Sequence, residues 1–176
     1  MQEIRKEIAE SIKDFKLPEY EAIPNVGLYL EQVTKYIAEY LEPLESINIT
    51  GSMIGNYVKK GLIDNPIKKQ YYREQIAYLI FIAVAKSVLS LEDIQLLIEM
   101  KMKKYDSRTA YSYFCLELEN VLHYVFGLKE NMEEIGRSKN DTKIMLRNTI
   151  VTVAHKIYLD KYFARYERGL EWEEKQ

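Results

Sequence analysis

Ten consecutive residues, Ile76 to Ala85 (IAYLIFIAVA), carry no charge and leave no polar face on a helix. A helix that is apolar on nearly every side has to be enclosed by other elements. The stretch from Arg73 to Ser87 is therefore expected to be the central rod of a core with neighbours all round it. The run is about half of the roughly 20 residues that a bilayer crossing needs, and charged residues flank it on both sides, so it reads as a buried helix and not as a membrane span.

What surrounds the rod is also expected to be helical. Glycine and proline number only seven and four, while Leu, Ile, Glu, Lys and Tyr are abundant, which favours a mainly all-α fold. At 47 % hydrophobic, 176 residues can fill such a core without disulfides or structural metal. A single cysteine, Cys115, rules out an internal disulfide framework and any CxxC pair, and fits a reducing cytoplasm. The opening MQEIRKEIAESIKDF is charged, with no apolar stretch of the kind a secretory signal needs, so the expected location is cytoplasmic.

Along the chain, residues 1–24 read as an N-terminal helix, with Ile4, Ile8, Ile12 and Phe15 on one stripe over residues 1–16, then a connector bracketed by Pro18 and Pro24. Residues 25–104 form the most patterned unit. Leu28, Leu30, Val33, Tyr36, Ile37, Tyr40 and Leu41 mark a helix that should end before Pro43. Thr50 or Ser52 can cap a short helix with Met53, Ile54, Tyr57 and Val58 inward, Gly61 as its stop, and Ser52, Gly55, Asn56, Lys59 and Lys60 outward. Ile63 to Tyr72 is hairpin-sized, and Ser90-Leu91-Glu92-Asp93 is a capping-box-like start for a further helix. Residues 105–176 read as a C-terminal helical region with helices over Thr109–Phe126 and Asp141–Glu167, punctuated by Gly127 and by Gly136 to Asn140. The second of these is apolar on more than one stripe, which suggests an oligomer interface, a homodimer through the C-terminal helices.

A short capped helix, a glycine stop, a compact hairpin and an apolar helix is the order of a winged helix-turn-helix, in which the short helix can enter a DNA major groove. The formal net charge of −2 and the pI near 5.8 argue against a surface built wholly for nucleic acid, so such a site has to be local. From Asn56 to Gln75 there are five basic residues, Lys59, Lys60, Lys68, Lys69 and Arg73, against Asp64 and Glu74, a local excess of +3. The candidate DNA contacts are these five cations, the short polar Ser52, Asn56 and Gln70, and Tyr72. The plain structural alternative is that the lysine pair complements a helix dipole and Tyr71 and Tyr72 merely pack.

Tyr57-Val58-Lys59-Lys60-Gly61-Leu62-Ile63, then Tyr72, Leu79-Ile80-Phe81-Ile82 and Ser90-Leu91-Glu92-Asp93-Ile94 resemble, in order and spacing, the DNA-binding head of the mercury-resistance regulator (MerR) family. That resemblance implies a winged helix-turn-helix with additional N- and C-terminal helices. Over nearly the full length, from LPEYEAIPNVGLYLEQV through ITGSMIGNYVKKGLI and KKQYYREQIAYLIFIA, the chain is also similar to a bacterial domain-of-unknown-function family, DUF1836, which implies a regulator-like fold and supplies no ligand or catalytic residue.

Catalysis needs at least two groups held together. Cys115, Glu119 and His123 share one helix stripe and His155 can approach from the last helix, but a free cysteine and a histidine among apolar neighbours are the ordinary contents of a core. No phosphate loop, HExxH or GxSxG is present, so no enzyme activity, no cofactor and no metal site is expected. Tyr105, Tyr111, Tyr113, Tyr124, Tyr158, Tyr162 and Tyr166 offer rings for a pocket that takes an aromatic or cationic small-molecule effector. The expected function is a transcriptional regulator binding double-stranded DNA. The alternative is an interaction module of the same helical fold that contacts a protein instead.

Overall fold

The apolar run folds as a helix, α4 (Arg73–Ala85), with Ile76, Leu79, Ile80, Ile82 and Val84 fully or almost fully buried. Around it, in the computed structural model, which describes residues 2–135 and 140–173, stand α1 (Gln2–Glu10), α2 (Leu30–Leu41), α3 (Gly51–Lys59), α5 (Leu91–Met102), α6 (Ser107–Val125) and α7 (Asp141–Glu173). The chain is mainly helical, 66 % of it in helices, with one two-stranded sheet among the described residues. That sheet pairs β1 (Leu28–Tyr29) antiparallel with β2 (Gln70–Tyr71), Leu28 opposite Tyr71 and Tyr29 opposite Gln70. No described helix is long and apolar enough to cross a membrane.

α4 touches α2, α6 and α7, so the rod is enclosed from several sides as its composition requires. One cluster of buried side chains runs from Ile8 in α1 to Ile157 in α7, and the three stretches distinguished along the sequence share that core. α7 packs on α6, α1, α5 and α4, which explains why its apolar positions cover more than one stripe.

Several element ends differ from the sequence reading for local reasons. α1 stops at Glu10, and tight turns carry the chain on so that Ile12 and Phe15 are buried without a regular helix. Leu28 belongs to β1 and not to the helix that follows; α2 begins only after Tyr29, whose amide donates to the Gln32 side chain at 2.9 Å. α6 starts before Thr109 because Asp106 caps it, accepting from the Thr109 amide at 2.9 Å. Gly127, at φ +74°, ends α6 with the paired hydrogen bonds of a Schellman cap, Gly127 N to Tyr124 O and Leu128 N to His123 O. Of the expected break from Gly136 to Asn140, residues 136–139 lie outside the described residues, and Asn140 accepts from the Lys143 amide at 3.1 Å just before α7.

Candidate nucleic-acid interface

The unit from β1 to α5 is assembled from local signals. Of the two possible caps for α3, Thr50 takes the position: its Oγ1 accepts from the Met53 amide at 3.2 Å. Gly61 closes the helix at φ +75°, with Gly61 N donating to Val58 O and Leu62 N to Tyr57 O, the Schellman geometry that glycine enters at least cost. Ile54 and Tyr57 face inward and are fully buried. Ser52, Gly55, Asn56, Lys59 and Lys60 are exposed on the opposite face.

Gly55 has open space where a Cβ would stand. A glycine within a helix costs about 1 kcal/mol relative to alanine, and here no neighbouring group demands the missing side chain. The exposed face of α3 therefore carries a bare backbone patch between Ser52, Asn56 and Lys59.

After α3 the chain forms a minimal hairpin. Ile67 and Gln70 exchange both backbone hydrogen bonds, at 3.0 and 2.9 Å, leaving Lys68 and Lys69 as a two-residue tip. Their φ values are +50° and +66°, the paired positive φ of a type I′ turn, which ordinarily selects Asn-Gly. A left-handed conformation costs a side-chain-bearing L-residue roughly 1–2 kcal/mol. Both lysines are exposed, and neither forms an ion pair among the described residues; the same holds for Lys59.

The other candidate cations are occupied. The Lys60 ammonium lies 3.1 Å from Glu92 at the start of α5. Glu92 is held below its ordinary range first by its backbone amide hydrogen bond and then by Lys60. Arg73, expected to grip phosphate, is engaged within the protein. Its Nη1 meets the Glu21 carboxylate at 2.6 Å, its Nε donates to Ile23 O at 2.9 Å, its Nη2 donates to Glu21 O at 3.0 Å, and its guanidinium lies over the Tyr20 ring. With a side chain only 21 % exposed, Arg73 is a clasp that ties the 18–24 connector to the start of α4.

The Gln70 side chain also lies against the protein, while Tyr72 is half-buried and its backbone amide is engaged. The Gln70 side chain lies across Gly27, where a Cβ would come within 2.7 Å of it. Gly27 is thus a residue the fold needs and the sequence reading passed over; its position two before Tyr29 was the available signal. The Tyr72 amide donates to Gln75 Oε1 at 3.0 Å, and Gln75 Nε2 donates to the carbonyls of Asp64 and Asn65, fixing the hairpin's approach to α4. Of the nine expected contacts, Ser52, Asn56, Lys59, Lys68 and Lys69 remain exposed without a side-chain partner among the described residues.

Cys115, Glu119 and His123 lie along α6 and His155 on α7. No described group of three His, Cys, Asp or Glu residues is placed to hold a metal ion. Burial pushes the Cys115 thiol up to about 12, leaving it un-ionised and poorly nucleophilic at neutral pH.

No curated protein and no solved structure matches this chain. The family model described as "Domain of unknown function (DUF1836)" matches residues 18–114, from the connector into α6. This is a narrower span than the near-full-length resemblance read from the sequence, yet it covers more than half of the 176 residues and includes the whole candidate interface. The chain belongs to the DUF1836 family of domains of unknown function.

Proposed function

We propose that residues 25–104 act as a MerR-like winged helix-turn-helix that binds double-stranded DNA, within a cytoplasmic transcriptional regulator whose role is binding and not catalysis. The observation that carries this reading is the hairpin tip. Two side-chain-bearing residues occupy strained left-handed positions, and both are lysines with no side-chain partner among the described residues. Strain of this kind is retained where the residues serve function, and an unpaired cation pair at the end of a wing is suited to phosphate.

In this reading α3 enters the major groove with Ser52, Asn56 and Lys59 toward the DNA, and bare Gly55 lets it come close. Lys68 and Lys69 grip the adjoining backbone. Lys60 and Arg73 hold the scaffold. The exposed apolar Leu159, Phe163 and Tyr166 recur at three- and four-residue spacing on α7, which supports a homodimer seam formed with a second copy.

The test is fluorescence anisotropy with a duplex from upstream of the protein's own gene and with a random duplex, each over a salt series. The upstream duplex is expected to bind more tightly. Each lysine engaged on phosphate contributes about −0.9 to the log–log salt slope, so Lys59, Lys68 and Lys69 together give roughly −3. Reversal to glutamate at any of them should flatten that slope, and Asn56→Ala should change sequence preference. Absence of binding to either duplex at low salt defeats the proposal. It would favour the interaction-module reading, which has its own support in the exposed Tyr29 and Ile67 flanking Gln70 and in nearby Val26.

A further inference from the structure

We infer that the cleft where α4, α5, α6 and the start of α7 meet is a binding site for a small single-ring aromatic carboxylic acid. The cleft has a volume of about 180 Å³ and lies among Tyr78, Phe81, Leu97, Tyr111, Phe114 and Leu146. An apolar cavity of about 150 Å³ is enough to take up benzene, so one ring with a short tail fits. Phe81 and Phe114 meet edge to face at 5.3 Å between centroids, and Tyr111 stands 6.2 Å from Phe114, a wall of rings against which a further ring can pack edge-on or offset.

Two ammonium groups, one from α5 and one from α7, enter this largely aromatic lining, which also carries the Ser107, Thr109 and Thr142 hydroxyls. Lys101 Nζ donates to Tyr78 Oη at 2.9 Å and to Ser107 Oγ at 3.0 Å. Lys143 Nζ lies over the Tyr113 ring, 5.0 Å from its centroid. Neither is ion-paired with a carboxylate among the described residues. Of the nearby acids, Glu74 accepts the hydroxyl of the same Ser107 that Lys101 reaches, and fully buried Glu117 lies 3.0 Å from Arg147 and also feels the charge of Lys143.

A cation at the edge of an apolar cleft gains from an anionic partner that reaches it there, since the charge-assisted bond forms where water competes least. A carboxylate on the ligand supplies that partner, and the aromatic walls hold the ring. The same two lysines repel a cationic ligand, which removes the cationic half of the effector class expected from the tyrosines alone. The site stands on the cleft itself and holds whether or not the protein binds DNA.

Isothermal titration calorimetry of the full chain with 3-phenylpropionate and with uncharged 3-phenylpropanamide tests it. Saturable one-to-one binding of the acid is expected, with the amide about tenfold weaker or more, the worth of one charge-assisted hydrogen bond. Lys101→Gln and Lys143→Gln should each weaken the acid by about tenfold and leave the amide unchanged. Ala110→Phe, which fills the cleft, should abolish both; should that variant fail to fold, the two glutamine variants decide the matter. No binding of the acid, equal binding of acid and amide, or acid binding untouched by both glutamine variants overturns the inference.

Discussion

Two turns in this protein force side-chain-bearing residues into positive φ, and they treat those side chains in opposite ways. Glu45 sits between α2 and α3 at φ +59°, ψ −53°, with Ser46 N donating to Leu44 O at 2.7 Å, the strained form of the γ-turn. Its carboxylate is fully engaged: Arg165 grips both oxygens at 2.8 Å, and Lys161, only 1 % exposed, lies at 2.6 Å. Arg165 also reaches Glu7 at 3.1 Å, and Lys161 donates to Ser11, so the far part of α7 fastens both the N-terminal segment and the turn before α3. Lys68 and Lys69 carry comparable strain with no side-chain partner among the described residues. At Glu45 strain is offset by internal charge pairing, which marks a structural device. At the hairpin tip no described residue supplies such compensation, which directs attention to a partner outside the chain.

The sharpest way to break this comparison is to remove the clasp. Glu45→Ala removes the carboxylate that Lys161, itself 1 % exposed, meets at 2.6 Å, and a buried charge stripped of its partner costs about 3 kcal/mol. Denaturant unfolding should show that loss, and Lys161→Met in the same background should recover much of it. A loss below about 1 kcal/mol, the range of surface ion pairs, would mean that the network is solvent-like and the contrast with the hairpin empty.

Acid should act on the same place. Hydrogen bonds from Arg165, then those from Lys161, hold Glu45 at about 2 against an ordinary 4.5. Because the folded value is the lower one, its contribution is complete above pH 4.5 and is lost as pH falls toward 2. Wild-type stability should therefore decline more steeply over that window than that of Glu45→Gln. Parallel curves for the two proteins would contradict the assignment.

Next in size is Arg73→Ala, expected to cost about 2 kcal/mol because a charged donor loses several acceptors at once. The salt slope for DNA should stay as in the wild type. A slope reduced by about 0.9 would return Arg73 to the phosphate contacts and erase the division between scaffold and interface.

Smaller effects of the opposite sign are expected at the hairpin and on α3. Replacing Lys68-Lys69 by Asn-Gly should raise stability by about 1 kcal/mol, since that pair adopts positive φ readily, while DNA affinity falls. Gly55→Ala should stabilise by something under about 1 kcal/mol and weaken DNA binding if the bare patch admits close approach. Stabilisation with unchanged affinity in both variants would show that neither feature serves DNA.

Much of the helical framework was legible because its signals are local. The glycine stop at Gly61, the choice of Thr50 or Ser52 as cap, the Ser90 start of α5 and the hairpin between Ile63 and Tyr72 depend on residues within a few positions of one another. The fates of the candidate site residues were not legible in the same way. Arg73 and Glu21 are 52 positions apart, Lys60 and Glu92 are 32 apart, and nothing in a charge count separates a cation paired at such range from a free one. Gln70 looked like a hydrogen-bonding tip until β1 laid Gly27 beneath it.

That the chain is mainly helical around an apolar rod, and where its short helix and hairpin fall, follows from the residues alone, because periodicity, caps and turn residues act within a few residues of the backbone. Packing alone sets which charges are paired within the fold and which face outward, that α7 fastens the turn before α3, and that two lysines share an aromatic cleft. Those outcomes depend on distances between residues far apart in the chain, which packing fixes and local propensity does not.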